Sequence, residues 1–150
     1  MSGQDAFIRI FREVQPKFSR LYARLLSQAG LSLPQYALLN QLAQSGRIPM
    51  TEASAKLHIS KPAVTKLVDR LEKIKYLRRA SNPADRRVSL IEIQPAGKKI
   101  VLKTQGFVLG FVLKTLKHLS AGERKVVERF YARLSETIDG TLRARKGKKL

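Results

Sequence analysis

The chain contains no cysteine. That excludes a disulfide frame, a thiolate metal site and a thiol redox sensor. Acids are scarce: 11 Asp+Glu stand against 30 Lys+Arg, a formal net charge of +19 on 150 residues. Long apolar runs are missing too. The most apolar segment, Phe107 to Leu113, is far below the roughly 18 residues needed to cross a bilayer. Arg9 and Arg12 interrupt the first apolar stretch, so no leader-type apolar core is expected at the N-terminus. No basic amphipathic membrane anchor is evident, and a cytoplasmic, nucleoid-associated protein is expected. Nothing resembles a nucleophile–base pair, a phosphate-cradling glycine loop or a metal motif. His58 and His118 are remote in sequence and have no obvious ligand partners. No catalytic activity, metal or cofactor is therefore expected.

What the chain has in excess is positive charge on an otherwise ordinary composition. An apolar fraction of 43% suits a globular core of one or two small units. Charge of this size concentrates a protein at polyanions and speeds encounter with them. Phosphate neutralisation supplies most non-specific affinity for DNA.

Periodicity predicts the elements. Phe7, Phe11, Val14, Phe18, Leu21 and Leu25 form one stripe on a helix over 4–29, which Pro16 is expected to kink or split. Gly30 is its expected stop. Ser32 caps a second helix carrying Tyr36, Leu38, Leu39 and Leu42, with Pro34 in its first turn and Gly46 at its end. Thr51 is expected to cap a third helix from about Glu52 to Leu57. His58-Ile59 makes a turn, and Ser60 caps a fourth helix running to about Lys75. Residues 77–80 and 88–93 alternate as two strands around an Asn-Pro turn. Pro95 and Gly97 open a long helix to Lys117, and Ser120 with Glu123 forms a capping-box spacing for a last helix reaching about Leu142.

The order helix, turn, helix, basic hairpin is the layout of a winged helix that grips DNA. The hairpin segment reads Arg78-Arg79-Ala80-Ser81-Asn82-Pro83-Ala84-Asp85-Arg86-Arg87, four arginines with one acid. A purely structural hairpin would mix its charges to limit repulsion. Arginine-rich tips suit the minor groove, where the potential is most negative. On the fourth helix, at about 100° per residue, Val64, Leu67, Val68, Leu71 and Ile74 share one face and make a small core with Leu57 and Ile59. The opposite face shows Pro62, Thr65, Lys66, Asp69 and Lys73, flanked by Lys61 and Arg70.

The N-terminal part of the second helix of such a motif meets base edges, so Lys61, Pro62, Thr65 and Lys66 are the expected readers. The amides near Ser60 can hold a phosphate, and Arg70 and Lys73 are expected on the DNA backbone. In the wing, Arg79, Asp85, Arg86 and Arg87 complete the set, and Asp69 is expected to pair with Arg86 or Arg79. Each of these residues alone also fits a solvated polar face; the set and the wing together point to DNA.

The runs Leu31-Ser32-Leu33-Pro34-Gln35-Tyr36, then Lys61-Pro62-Ala63-Val64-Thr65-Lys66-Leu67-Val68-Asp69-Arg70-Leu71-Glu72, then Asn82-Pro83-Ala84-Asp85-Arg86-Arg87 resemble the MarR family of bacterial and archaeal regulators. The likeness runs over nearly the whole chain and is most specific at Asp85-Arg86-Arg87. It implies a homodimer of winged helices on an inverted repeat of double-stranded DNA. It implies a ligand or signal in a cleft between the DNA module and the dimer helices. It also implies that Arg87 enters the minor groove while Asp85 holds it. Two positions depart from the family: Lys75 stands where glycine usually ends the recognition helix, and Gln94 where threonine often precedes the long helix.

The expected fold is mainly α with a small β-wing: a winged helix-turn-helix, 32–95, flanked by dimerisation helices over 4–30 and 96–145, then a basic tail, 146–150. The 107–116 stretch is apolar almost all round and must be covered on more than one side. It is buried within its own subunit or against a second one; a small domain offers few neighbours, which favours a second copy. Phe7, Phe11, Val14, Phe107, Phe111, Leu113 and Leu116 are the expected interface, and the Gly106-x-x-x-Gly110 spacing would let helices approach closely. Phe18, Tyr22 and Tyr36 are the expected cleft residues, for an apolar or aromatic anionic effector, although the same aromatics also fit plain core packing. The leading functional reading is a transcription regulator, more often a repressor by family habit. The alternative is an architectural, nucleoid-type DNA binder without ligand control, marked by weak sequence preference.

Overall fold

A computed structural model describes residues 3–147, with side chains over 4–144. The expected basic tail, 146–150, lies outside the described side chains. The described residues fold as six helices and a small sheet: α1 (Gly3–Gln28), α2 (Leu33–Ser45), β1 (Ile48–Pro49), α3 (Met50–Leu57), α4 (Lys61–Lys73), β2 (Leu77–Ser81), β3 (Ser89–Ile93), α5 (Pro95–Leu116) and α6 (Ala121–Gly147). The sheet is antiparallel, in the order β1-β3-β2. Arg79 lies opposite Ile91 and Ser81 opposite Ser89 in the hairpin, while Ile48 lies opposite Ile91 on the other side.

Local chemistry explains the boundaries. Ser32 caps α2 by accepting from the Gln35 N–H, and the Gln35 side chain accepts in return from the Ser32 N–H at 2.8 Å. Ser60 caps α4 through the Ala63 N–H at 3.3 Å. The same reciprocal pair joins Ser120 and Glu123 ahead of α6. Each cap satisfies donors that an α-helix leaves open at its start. Gly30 and Gly46 take positive φ at the ends of α1 and α2. Lys75, at φ +60, makes the left-handed turn after α4 without glycine's freedom.

Four expectations are corrected. Pro16 does not split α1, which runs unbroken through it; proline removes one ladder bond, and the other bonds of this 26-residue helix remain. Thr51 does not cap α3. The helix starts at Met50, directly after Pro49, whose φ −63 and ψ 147 end strand β1. α4 stops at Lys73 rather than Lys75. Ile74 is consequently 46% exposed and outside the core face it was expected to share.

The core lies where α2, α4, α5 and the sheet meet. Leu38, Leu39, Leu42, Val64, Val68, Leu71, Leu77, Ile91 and Val101 are its largest fully buried side chains. The helix-turn-helix corner is tied by the Ser54 hydroxyl, which donates to the Ile59 carbonyl at 2.7 Å. A part-buried bond from Gln105 to Asn40 joins α5 to α2. The terminal helices differ sharply from this centre. The C-terminal half of α1 packs, whereas Phe7, Phe11, Phe107, Phe111, Leu113 and Phe130 stand about half exposed, Val14 38% exposed, and Leu116 is partly covered. A ring contact between Phe7 and Phe130, centroids 5.7 Å apart, joins α1 to α6. Among the described residues, no helix is long and apolar enough to cross a membrane.

Candidate nucleic-acid interface

Burying Val64, Val68 and Leu71 turns the opposite face of α4 to solvent. Lys61, Pro62, Thr65, Lys66, Asp69, Arg70 and Lys73 are exposed there, with Ser60 at its N-terminal end. The Thr65 hydroxyl donates to the Lys61 carbonyl at 3.1 Å, which fixes its rotamer and leaves its oxygen free to accept. Among the described residues none holds Lys61, Lys66, Arg70, Lys73 or Arg86 in an ion pair. The face therefore presents unneutralised cations on a rigid, capped helix.

The wing tip is built by side chains of the turn itself. Asn82 accepts from the Ala84 N–H at 3.0 Å. The Asp85 carboxylate accepts from the Arg87 backbone N–H at 3.0 Å and from its Nε at 3.2 Å. The backbone N–H and then the guanidinium hold the Asp85 carboxyl below its ordinary range. Arg87 still has a side-chain exposure of 91%, so the carboxylate aims the fork without covering it. A shallow cleft of about 400 Å³ on the hairpin is lined by Arg79, Ser81, Arg86, Arg87 and Ser89, among others.

The four hairpin arginines are not equivalent. Arg86 and Arg87 are free or tip-held. Arg78 pairs with Glu92 on the adjacent strand, and Arg47 pairs with the same carboxylate from the far side. Hydrogen bonds from Arg47 and then Arg78 hold the Glu92 carboxyl below its ordinary range. Arg79 turns back onto α4, where Asp69 accepts from it at 2.5 Å and Glu72 takes both its side chain and its backbone N–H. The Asp69 bond is the largest influence holding this guanidinium above its ordinary range. Of the two expected partners for Asp69, the structure selects Arg79.

Glu72, Glu92 and Arg47 escaped the sequence analysis. A signal existed for Glu72: it lies three residues after Asp69, hence on the same helix side. Arg47 and Glu92 are 45 residues apart, and nothing local links them.

The expected ligand residues separate. Phe18 and Tyr22 line a groove of about 640 Å³ along α1, with Leu26, Leu31 and Leu33. Tyr36 stands behind it in the core, only 6% exposed, its ring 6.2 Å from that of Tyr22. The groove lining carries no charged side chain, so the cations expected around an anionic ligand are not in its wall.

The family model of the MarR family matches residues 31–89, the helix-turn-helix and the hairpin. Over those residues the chain resembles the MarR family, and the relatives and solved structures point the same way. Among relatives, YsmB of Bacillus subtilis, an uncharacterised HTH-type transcriptional regulator, is 34% identical over 77 residues, which are 51% of this chain and 53% of that protein. YfiV of the same organism, described in the same terms, is 28% identical over 132 residues, 79% of this chain and 81% of its own. The match with YhbI spans 60% of that relative, so for YsmB and YhbI this chain spans little more than half the relative's length. Among solved structures, Streptococcus pneumoniae FabT in complex with DNA superposes with a TM-score of 0.74 at 19% identity, covering 90% of this chain and 99% of FabT. A mutant of E. coli MarR complexed with operator DNA gives 0.62 at 25% identity, covering 84% and 91%. These likenesses establish a winged-helix fold, mainly α with a small antiparallel sheet.

Proposed function

We propose that this protein is a sequence-specific transcription regulator of the MarR family that binds DNA as a homodimer on an inverted repeat, and that it represses. One observation carries the reading: a capped helix presents unpaired cations beside a hairpin whose tip arginine is aimed by its own aspartate. Residues 32–95 would form the DNA module, with 4–30 and 96–145 as the dimerisation region. Lys61, Pro62, Thr65 and Lys66 would meet base edges. The amides at Ser60 with Arg70 and Lys73 would take phosphates, and Arg86 and Arg87 would follow the minor groove. The half-exposed aromatics of α1, α5 and α6 support a second copy as the missing cover. A small apolar or aromatic effector, seated in the groove at Phe18 and Tyr22, would release the DNA.

Selection of bound sites from a random duplex pool tests this. A palindromic consensus with half-sites about one helical turn apart is the expected result. Enrichment of no motif, with affinity set by salt alone, would replace the regulator by an architectural DNA binder.

A further inference from the structure

We propose that Arg79 is a positioning residue rather than a DNA contact: it locks the wing to the recognition helix and so sets where Arg87 meets the duplex. The inference rests on the DNA-binding reading above.

The geometry is specific. Asp69 and Glu72 lie one turn apart on the side of α4 that faces β2. Glu72 accepts from the Arg79 backbone N–H at 2.9 Å and from the guanidinium, while Asp69 accepts from the other terminal nitrogen at 2.5 Å. β2 is an edge strand, and an edge strand leaves alternate N–H groups without a ladder partner. Glu72 supplies that partner at Arg79. A planar guanidinium held by two carboxylates is fixed in orientation as well as place. The contrast with Arg87 is direct: the Arg79 side chain is 32% exposed, that of Arg87 91%.

Two carboxylates beside a DNA-facing surface oppose phosphate binding, so their presence on α4 needs a purpose that outweighs repulsion. Holding the hairpin is such a purpose. The base of the wing is anchored by Leu77 and Ile91 in the core. Beyond them, Arg79 is where α4 grips the hairpin before it runs out to the tip. Without that grip the strands can twist about their base, and Arg87 would be delivered over a range of positions.

The test uses Arg79→Gln and Arg79→Lys. A phosphate contact would survive Arg79→Lys, and its loss in Arg79→Gln would lower the salt slope of binding by about one. A lock needs the fork, which lysine lacks. Both variants should therefore weaken operator binding about tenfold with the slope unchanged, matching loss of one charge-assisted contact. The loss caused by Arg87→Ala should shrink in the Arg79→Gln background, a coupling that mere destabilisation does not produce.

A DNA-free measurement separates this idea from the function itself. The chain has no cysteine, so spin labels at Arg70→Cys and Ala84→Cys are unique. In protein diluted with unlabelled copies, their distance distribution should be narrow, and it should broaden at least about twofold in both Arg79 variants. An unbroadened distribution, or wild-type affinity in Arg79→Lys, would overturn the lock. Failure of every duplex to bind the unaltered protein, with the broadening intact, would sink the DNA-binding reading and leave the mechanical lock standing.

Discussion

Asp85 stands at the tip of a basic hairpin, where an acid would repel the phosphates of the proposed DNA partner. Its side-chain hydrogen bonds resolve the conflict, because all three come from Arg87. Asp85→Ala should weaken operator binding about tenfold, of the order of one charge-assisted hydrogen bond, although charge counting alone predicts tighter binding. Titrating operator and scrambled duplex at fixed salt decides; stronger operator binding by the variant would remove the orienting role. The pH dependence follows from the lowered carboxyl. A group whose folded pKa is depressed contributes above its unfolded value and loses that contribution as pH falls through the folded one. The clamp should thus hold through mildly acidic solution and open only below the usual carboxylate range, as followed by NMR of the Asp85 carboxyl. On α4, Lys66→Ala should relax base preference by about 1–3 kcal/mol of discrimination, whereas Arg70→Ala should weaken every sequence alike. Equal losses of Lys66→Ala on specific and scrambled DNA would move Lys66 to the backbone.

At the scale of elements, two turns set the frame that carries the wing. A Cβ on Gly97 would stand 2.2 Å from the Tyr76 carbonyl oxygen, a backbone atom that already accepts from the Gln94 N–H. Gly97→Ala must push α5 away from the end of α4 and should cost about 1–3 kcal/mol, the usual range for overpacking, in a denaturant melt. Lys75 is the opposite case. Its φ of +60 is a conformation that costs an L-residue about 1–2 kcal/mol, part of which glycine returns through the entropy of the unfolded chain. Lys75→Gly should therefore raise stability by up to about 1 kcal/mol; a lower melting temperature would show that the lysine side chain contributes more than the strain. These elements also mark what sequence can reveal. Serine caps at Ser32, Ser60 and Ser120 were legible because a cap is local chemistry, and so was Asp85 beside Arg87. Strand β1 was not, since two residues, Ile48 and Pro49, carry no period. Pairing of Arg79 with Asp69 was open to a second reading through Arg86, because the angle between helix and hairpin decides it, and that angle is tertiary.

For the whole molecule, the decisive quantities are charge and uncovered apolar area, and they pull against each other. Each chain carries +19, so two copies repel at any separation that salt does not screen. Against this stand Phe7, Phe11, Phe107, Phe111, Leu113 and Phe130, each 44–54% exposed in the single chain. Covering the exposed half of such side chains is worth about 1 kcal/mol each, roughly half of the full-burial value, and several together outweigh repulsion between charges spread over a surface and screened within about 10 Å at 0.1 M salt. Gly106 and Gly110 have open space where a Cβ would point, room for a second helix to come close. If the proposed dimer and the proposed DNA complex both form, they should answer salt in opposite directions. Added salt should tighten the dimer, by screening like charges, and weaken DNA binding, by reducing the gain from counterion release. Phe111→Glu places a charge in the apolar seam and should yield monomers that bind a half-site but lose the gain from a palindrome. Sedimentation across a salt series measures the first effect and half-site against full-site titration the second. A stable monomer of the unaltered protein at micromolar concentration, at every salt, would mean that the exposed aromatics serve some other partner.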